Sequence, residues 1–346
     1  MGAGWAILAG AAVSLGVAGG FAALVHAAGP LDAPRARGSH TEPTVTSGGL
    51  AIMVGASLGL LLFGLLTRNG PVVGLSATAM TLGFAGALGL FGALDDLVDL
   101  GAKGKLIAQA VIGLLFTLVV HRVEALPLGF GLDLPVGAVA GALGTVLWLV
   151  VATNAVNFMD GANGLAAGSL AIVLAALGAA ALIQGEAAVS AAAFAGAAAQ
   201  AGFLPWNLPG RKLFQGDAGA LFSGFLAAGL AVVAAGPVSV YFAPLALTPF
   251  LVDVLLTLAV RARRGQSLFQ AHRDHLYQLW LRRTGASHAA LAVRVWGVVG
   301  AYAVAALACE AAPEAWRFPL YLLGVGIAVV GWRVARRKLE PASPPP

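Results

Sequence analysis

Apolar stretches long enough to cross a hydrocarbon layer recur along almost the whole chain, and no other feature limits its fold as strongly. A helix that spans the bilayer core needs about 20 mostly apolar residues. Windows of that kind fall at 4–28, 48–67, 71–94, 105–121, 136–153, 165–184, 187–204, 218–236, 239–260, 290–308 and 316–335. Backbone amides in lipid are satisfied only within helices or closed barrels. The expected fold is therefore an all-α polytopic integral membrane protein of about eleven transmembrane helices, forming one domain over residues 1–346. Composition excludes the soluble alternative, because only 10% of residues are charged where a soluble domain carries about 25%. The single Cys309 excludes an internal disulfide. Residues 1–28 lack the basic start of a secretory signal and their apolar run is too long for one, so they read as a first span. The net charge of +5 fits a basic membrane face, with no nucleic-acid partner expected.

Orientation follows from the cations. Loops after odd-numbered spans, together with the C-terminal tail, hold 17 of the 20 Lys and Arg residues, leaving Arg68, Arg122 and Arg317 on the other side. The positive-inside rule then puts the N-terminus outside and the C-terminus in the cytoplasm. The same sorting gathers the polar segments on the cytoplasmic face, in loops at about 29–47, 95–105, 154–165, 205–217 and 261–289, with a tail at 336–346.

Within those loops, Asn154-Ala-Val-Asn157-Phe-Met-Asp160-Gly161-Ala-Asn163-Gly164 interrupts two apolar runs. Polar groups at membrane depth are expensive and tend to be functional. In a helical entry Asn154, Asn157 and Asp160 share one face, and Gly161 and Gly164 permit a turn or a close approach. The plain alternative is a capped helix end. Asp95-Asp96-Leu-Val-Asp99 places three acids in five residues, with Asp95 and Asp99 on one helical face and Lys103 and Lys105 nearby. Such acids repel unless cations neutralise them. Mg²⁺ is held by one or two carboxylates plus substrate phosphates, so this pattern points to diphosphate chemistry or to a solvated charge cluster. Asp217 opens an apolar helix after Gly216, as an N-cap or a metal ligand, and Phe214 and Trp206 are candidates to stack on a nucleobase.

Asp253 is an intramembrane carboxylate, expected either in function or in a salt bridge to a neighbouring Arg. In Arg261-Ala-Arg263-Arg264…His272-Arg273-Asp274-His275-Leu-Tyr277-Gln278, the two histidines and Gln278 share a face if the segment is helical. The segment suits phosphate or sugar better than zinc. The first loop supplies Arg35, Arg37 and His40 as phosphate donors, or simply as topological charge. His26, His121 and His288 stand alone and read as structural or interfacial.

Pro43-Thr44…Gly48-Gly49, Asp95-Asp96-x-x-Asp99, Asn154-x-x-Asn157-x-x-Asp160-Gly161-x-x-Gly164-Leu165, Phe214-Gln-Gly216-Asp217-x-Gly219 and His272-Arg273-x-His275 occur in that order. Together they resemble the polyprenyl-phosphate N-acetylhexosamine-1-phosphate transferases, glycosyltransferase family 4, over nearly the whole chain. That resemblance implies transfer of HexNAc-1-phosphate from a UDP-sugar to undecaprenyl phosphate, with release of UMP, at the bacterial inner membrane. It implies Mg²⁺ (with Mn²⁺ as an alternative) on Asn157 and Asp217, and a homodimer. It gives Asp95, Asp96, Asp99, His272 and His275 catalytic roles. Substrate contacts fall to His40, Asn154, Asp160, Asn163, Phe214, Arg264 and Arg273. Gln215, Asn163 and the absence of three consecutive histidines resemble the branch that starts O-antigen and other surface polysaccharides. The expected chemistry is direct attack by the lipid phosphate with Asp95 placing it, and the alternative is a covalent aspartyl intermediate. Two other readings are a membrane prenyltransferase, which also uses Asp-Asp-x-x-Asp, and a transporter, whose site would lie mid-bilayer.

Overall fold

The computed structural model describes residues 2–28, 31–32, 44–45, 47–67, 72–98, 100–208, 213–270 and 272–340. His40, Arg35, Arg37, Asp99, Arg211, Lys212 and the tail beyond Glu340 lie outside them. The helices are α1 (Ala3–Ala28), α2 (Gly49–Leu66), α3 (Val72–Val98), α4 (Gly101–Val119), α5 (Gly137–Met159), α6 (Leu165–Ile183), α7 (Ala187–Asn207), α8 (Gly216–Val233), α9 (Phe242–Ala246), α10 (Thr248–Arg263), α11 (Leu276–Thr284), α12 (His288–Ala311) and α13 (Glu314–Leu339). Two short antiparallel ribbons complete it, β1 (Leu31–Asp32) with β2 (Thr44–Val45) and β3 (Ala125–Gly129) with β4 (Leu132–Pro135).

Ten described helices are long and apolar enough to cross a membrane. The ninth expected span, 239–260, is the exception: it is split into five-residue α9 and sixteen-residue α10. Pro249 in the first turn of α10 has no amide hydrogen to donate, so it starts a helix well and continues one badly. The Thr248 hydroxyl closes the break by donating to the Pro244 carbonyl at 2.7 Å.

Helix α8 lies at the centre, with 78% of its apolar window buried, whereas α13 has only 6% buried and faces outward. Glycine makes the close packing around α8 possible. A β-carbon on Gly49 would overlap the backbone of Gly219, and one on Gly92 would overlap the Asp217 carbonyl. Small residues bring backbones together in this way where lipid offers no hydrophobic drive to associate. The turns after α3, α5, α7 and α10 therefore converge at one end of the bundle, the site end. The β3–β4 ribbon and the α12–α13 turn lie at the opposite end.

Candidate active site

At the site end, the start of α4 and the start of α8 bring acids and one ammonium together. Lys105 Nζ lies 2.7 Å from Asp217 Oδ2 and 3.0 Å from Asp95 Oδ2. Asn157, on the last turn of α5, donates its amide to Asp217 Oδ1 at 2.7 Å. Asp95 also accepts the Leu100 amide at 2.8 Å, which ties the α3–α4 turn. Sequence proximity ties Lys105 only to the Asp95 cluster; in the fold it also grips Asp217, 112 residues away.

Asp96 does a different task. Its carboxylate accepts the backbone amides of Asp217 at 3.1 Å and Ala218 at 3.3 Å, capping α8 from a neighbouring helix. The cap is thus supplied by Asp96, and the Asp217 side chain stays on Lys105 and Asn157. On the other side, the Gly48 and Gly49 amides donate to the carbonyls of Phe214 and Gln215, each at 2.9 Å. The Gly48-Gly49 motif therefore holds the loop that presents Phe214 and Asp217.

The turn after α5 is shaped by Gly164, in the left-handed region at φ 75°. Asn207, which the sequence reading left without a role, pins that turn by accepting the Gly164 amide, and it donates to the Leu213 carbonyl at 2.9 Å. Asn163 is buried and its side-chain oxygen lies 3.4 Å from His288 Nδ1, so His288 does not stand alone. Asn154 pairs with Gln109 of α4, which fixes its amide between two helices. Asp160, just beyond α5, faces Asp217 and Asp96. Burial, followed by those two charges, holds its carboxyl well above the usual range.

The histidine segment differs from the expected helical face. Helix α11 begins at Leu276, His275 is extended at φ −64°, ψ 149° as its N-cap, and His272 lies before it. The rings nevertheless meet, with centroids 4.9 Å apart and Phe158 at 5.5 Å from His275. Burial, then the neighbouring His272, pushes the His275 imidazole down to about 3, so it is neutral at physiological pH. His272 is lowered by burial as well.

Asp253 secures this segment by accepting the Leu276 amide at 2.9 Å and the Trp332 indole N–H at 2.8 Å, in place of the salt bridge to an Arg that was one expectation. Arg261 holds Asp274. Tyr277, another residue without an assigned role, is buried and donates to the Phe158 carbonyl at 3.1 Å. Its hydroxyl fills the space where a β-carbon on residue 161 would stand, which explains Gly161.

These elements enclose a cavity of 1050 Å³ lined by, among others, Asp96, Lys105, Asn154, Asn157, Asp160, Asn163, Phe214, Asp217, His272 and His275. Asp95 stands behind Lys105 and does not line it. Arg264 and Arg273 are also outside the lining: Arg264 is exposed and paired with Glu340 at 3.3 Å. Trp206 packs against His26 instead of entering the cavity. Among the described residues no three His, Cys, Asp or Glu side chains cluster as a metal cage. The donor set still fits a hard divalent cation, because Asp217 holds Lys105 and Asn157 while Asp160 and Asp96 face it electrostatically. Such ions are held by one or two protein oxygens, with substrate phosphates completing the shell.

The chain belongs to the family described as glycosyl transferase family 4, whose model matches residues 77–235, and it is a multi-pass membrane transferase of that family. It is 32% identical over 305 residues to the decaprenyl-phosphate N-acetylglucosaminephosphotransferase of Mycolicibacterium smegmatis, covering 79% of this chain and 74% of that one. It is 34% identical over 198 residues to a probable undecaprenyl-phosphate N-acetylglucosaminyl 1-phosphate transferase of Bacillus subtilis, covering 57% of this chain and 53% of that protein. It is also similar, at 29% over 297 residues, to the phospho-N-acetylmuramoyl-pentapeptide-transferase of Corynebacterium efficiens, across 73% and 80% of the two chains.

Proposed function

We propose that this protein transfers a HexNAc-1-phosphate from a UDP-sugar to undecaprenyl or a similar polyprenyl phosphate. The reaction would release UMP and form the first lipid-linked sugar of a surface polysaccharide. The observation that carries this reading is the convergence of Lys105, Asn157, Asp160 and Asp217 on one cavity at one end of the bundle. The residues match the chemistry. A lipid phosphate has its second pKa near 6 and is largely a dianion at neutral pH, so it needs charge neutralisation more than a base. Its oxygen forms the new bond to the donor's β-phosphorus, and the bond to the bridging oxygen breaks as UMP leaves.

Asp217 and Asn157 would hold Mg²⁺ or Mn²⁺, which when bound neutralises the diphosphate. Lys105 carries a positive charge to the same place, and Asp95, bonded to it at 3.0 Å, orients it. This shifts Asp95 from placing the nucleophile to placing Lys105. Asp96 holds the first turn of α8 so that Asp217 keeps its aim. Neutral His275 and His272 line the same cavity and would donate to or accept from the sugar or phosphate. Phe214 offers a face for uracil. The cytoplasmic side of the bacterial inner membrane and a homodimer belong to the same reading.

The N-acetylglucosaminyl donor is preferred on the longest matches, 32% identity over 79% of this chain for the decaprenyl-phosphate enzyme against 29% over 73% for the pentapeptide enzyme, although shorter matches to other pentapeptide enzymes reach 34% and 35%. The test is purified protein with polyprenyl phosphate, Mg²⁺ and a panel of UDP-sugars that includes UDP-N-acetylmuramoyl-pentapeptide. UMP release with a UDP-HexNAc is expected. Release with the pentapeptide donor alone would overturn the donor assignment, and release with none would overturn the reaction. A phospho-sugar adduct trapped on the protein with donor alone would replace direct attack by the covalent route.

A further inference from the structure

Charge at the site end is divided unevenly. At and beside the cavity, on α3 to α8, the described residues supply four carboxylates (Asp95, Asp96, Asp160 and Asp217) against two lysines, Lys103 and Lys105. Across α10 to α13 the balance reverses. The three carboxylates of these elements that lie at the site end are committed: Asp253 to Leu276 and Trp332, Asp274 to Arg261, and Glu340 to Arg264 and Arg336. Arg263, Arg282, Arg283, Arg333, Arg337 and Lys338 remain exposed, and no ion pair is formed by any of them among the described residues.

The elements that carry them are bound into one surface. The Arg264–Glu340 pair joins the ends of α10 and α13. Arg336 donates to the Asp274 carbonyl at 3.2 Å, and the Arg294 guanidinium lies 5.1 Å from the Trp280 ring, joining α12 to α11. Beside the cations, Leu268 and Phe269 are 40% and 55% exposed in the segment after α10, and both line the cavity. Topology alone accounts for cations at this end. It does not account for their segregation from the acids, nor for an exposed apolar pair among them.

We propose that this α10–α13 surface docks the headgroups of anionic phospholipids in the adjoining leaflet, with Leu268 and Phe269 entering the interface. Each basic side chain near an anionic surface adds to the attraction, which fades within a Debye length of about 8 Å. Exposed aromatic and aliphatic tips rimmed by arginine are the usual composition of an interfacial contact. Docking there would hold the histidine segment, anchored to the same elements, against the membrane surface beside the cavity.

The test reads lipid, not turnover. Full-length protein is reconstituted in bilayers of phosphatidylcholine and phosphatidylglycerol in equal parts, extracted gently, and its retained lipids are counted by native mass spectrometry. Wild type is expected to retain several-fold more phosphatidylglycerol than phosphatidylcholine, with the excess falling as salt is raised. The R282E/R283E/R337E variant should return to the input ratio at an unchanged unfolding midpoint. If that variant misfolds, the milder R333Q/K338Q pair should lose a measurable part of the preference. Retention at the input ratio in wild type, or an undiminished excess in the folded variants, would overturn the proposal. So would stripping of the lipid by inorganic pyrophosphate but not by salt of equal ionic strength, which would make this a soluble-diphosphate site. Absence of transfer activity leaves the lipid result untouched, and absence of lipid preference leaves the transfer reading untouched.

Discussion

Each end of the bundle has a cavity with charged walls, but only the site end leaves its charges out of balance. The opposite cavity, 580 Å³, is lined by His121, Arg122, Glu124, Tyr241, Glu314 and Arg317 among others. Its arginines are matched: Arg122 bonds Glu124 at 2.7 Å, and Arg317 lies 3.2 Å from Glu310. Glu310 also accepts the Ser239 amide at 2.9 Å and the Gln184 amide at 3.1 Å, so it fastens four segments of chain. Such matched pairs close a structure and ask for nothing more. At the site end, one lysine serves two carboxylates while two more face the same space. That excess is relieved in part by burial raising the Asp160 carboxyl, and a cation with its anionic ligand would complete it, which makes this end the place to look for function.

The comparison breaks first at Asp217. Asp217→Asn should lower UMP release by about 10³-fold or more, as loss of a principal electrostatic contact does, with folding in detergent retained. Lys105→Gln should cost about 10² to 10³-fold by the same logic, with part recovered by Lys105→Arg, since a cation at this point is the requirement. Gly161→Val displaces Tyr277 and the histidine segment with it; single-turnover kinetics should show a fall of about 10²-fold, the usual price of misplacing a reacting group by an ångström.

A smaller effect concerns pH. Burial holds the folded His275 imidazole down to about 3, whereas the unfolded chain takes up its proton near the ordinary imidazole value of 6.5. Its contribution to stability is therefore present above 6.5 and is lost as pH falls from there toward 3, at about 1 kcal/mol per pH unit. The difference in thermal stability between wild type and His275→Gln should shrink over that window. Smallest of all, Arg122→Gln at the opposite end should leave transfer within about twofold and stability within about 1 kcal/mol, as expected of a partly exposed ion pair. A large loss there would show that the two ends are not functionally distinct.

The spans were legible in the sequence because the bilayer sets helix length and hydropathy reports it directly. The window 239–260 differs, being two helices where hydropathy implies one, since a window average does not register Pro249 in a first turn. The polar motifs were legible as a set, but their division of labour was not. Asp96 was read with Asp95 as one acidic cluster, yet its partners are amides 121 and 122 residues further on. No local pattern announces a cap supplied from another helix. Asn207 and Tyr277 carry no sequence signal for the same reason: each acts on backbone brought near only by folding. His272 and His275 meet without the helix that their spacing implied, because Asp253 starts α11 after them. The family model ends at residue 235, so this last segment lies beyond the part it matches.

The claim that the acid excess at the site end holds a divalent cation is tested most directly by titrating Mn²⁺ into the purified protein with UDP-N-acetylglucosamine present and following free Mn²⁺ by paramagnetic resonance. Wild type should remove one ion per active site from solution, Mg²⁺ should compete it off, and Asp217→Asn should abolish the binding. Binding of equal strength in wild type and Asp217→Asn, or none in wild type while transfer continues in EDTA, would contradict the account.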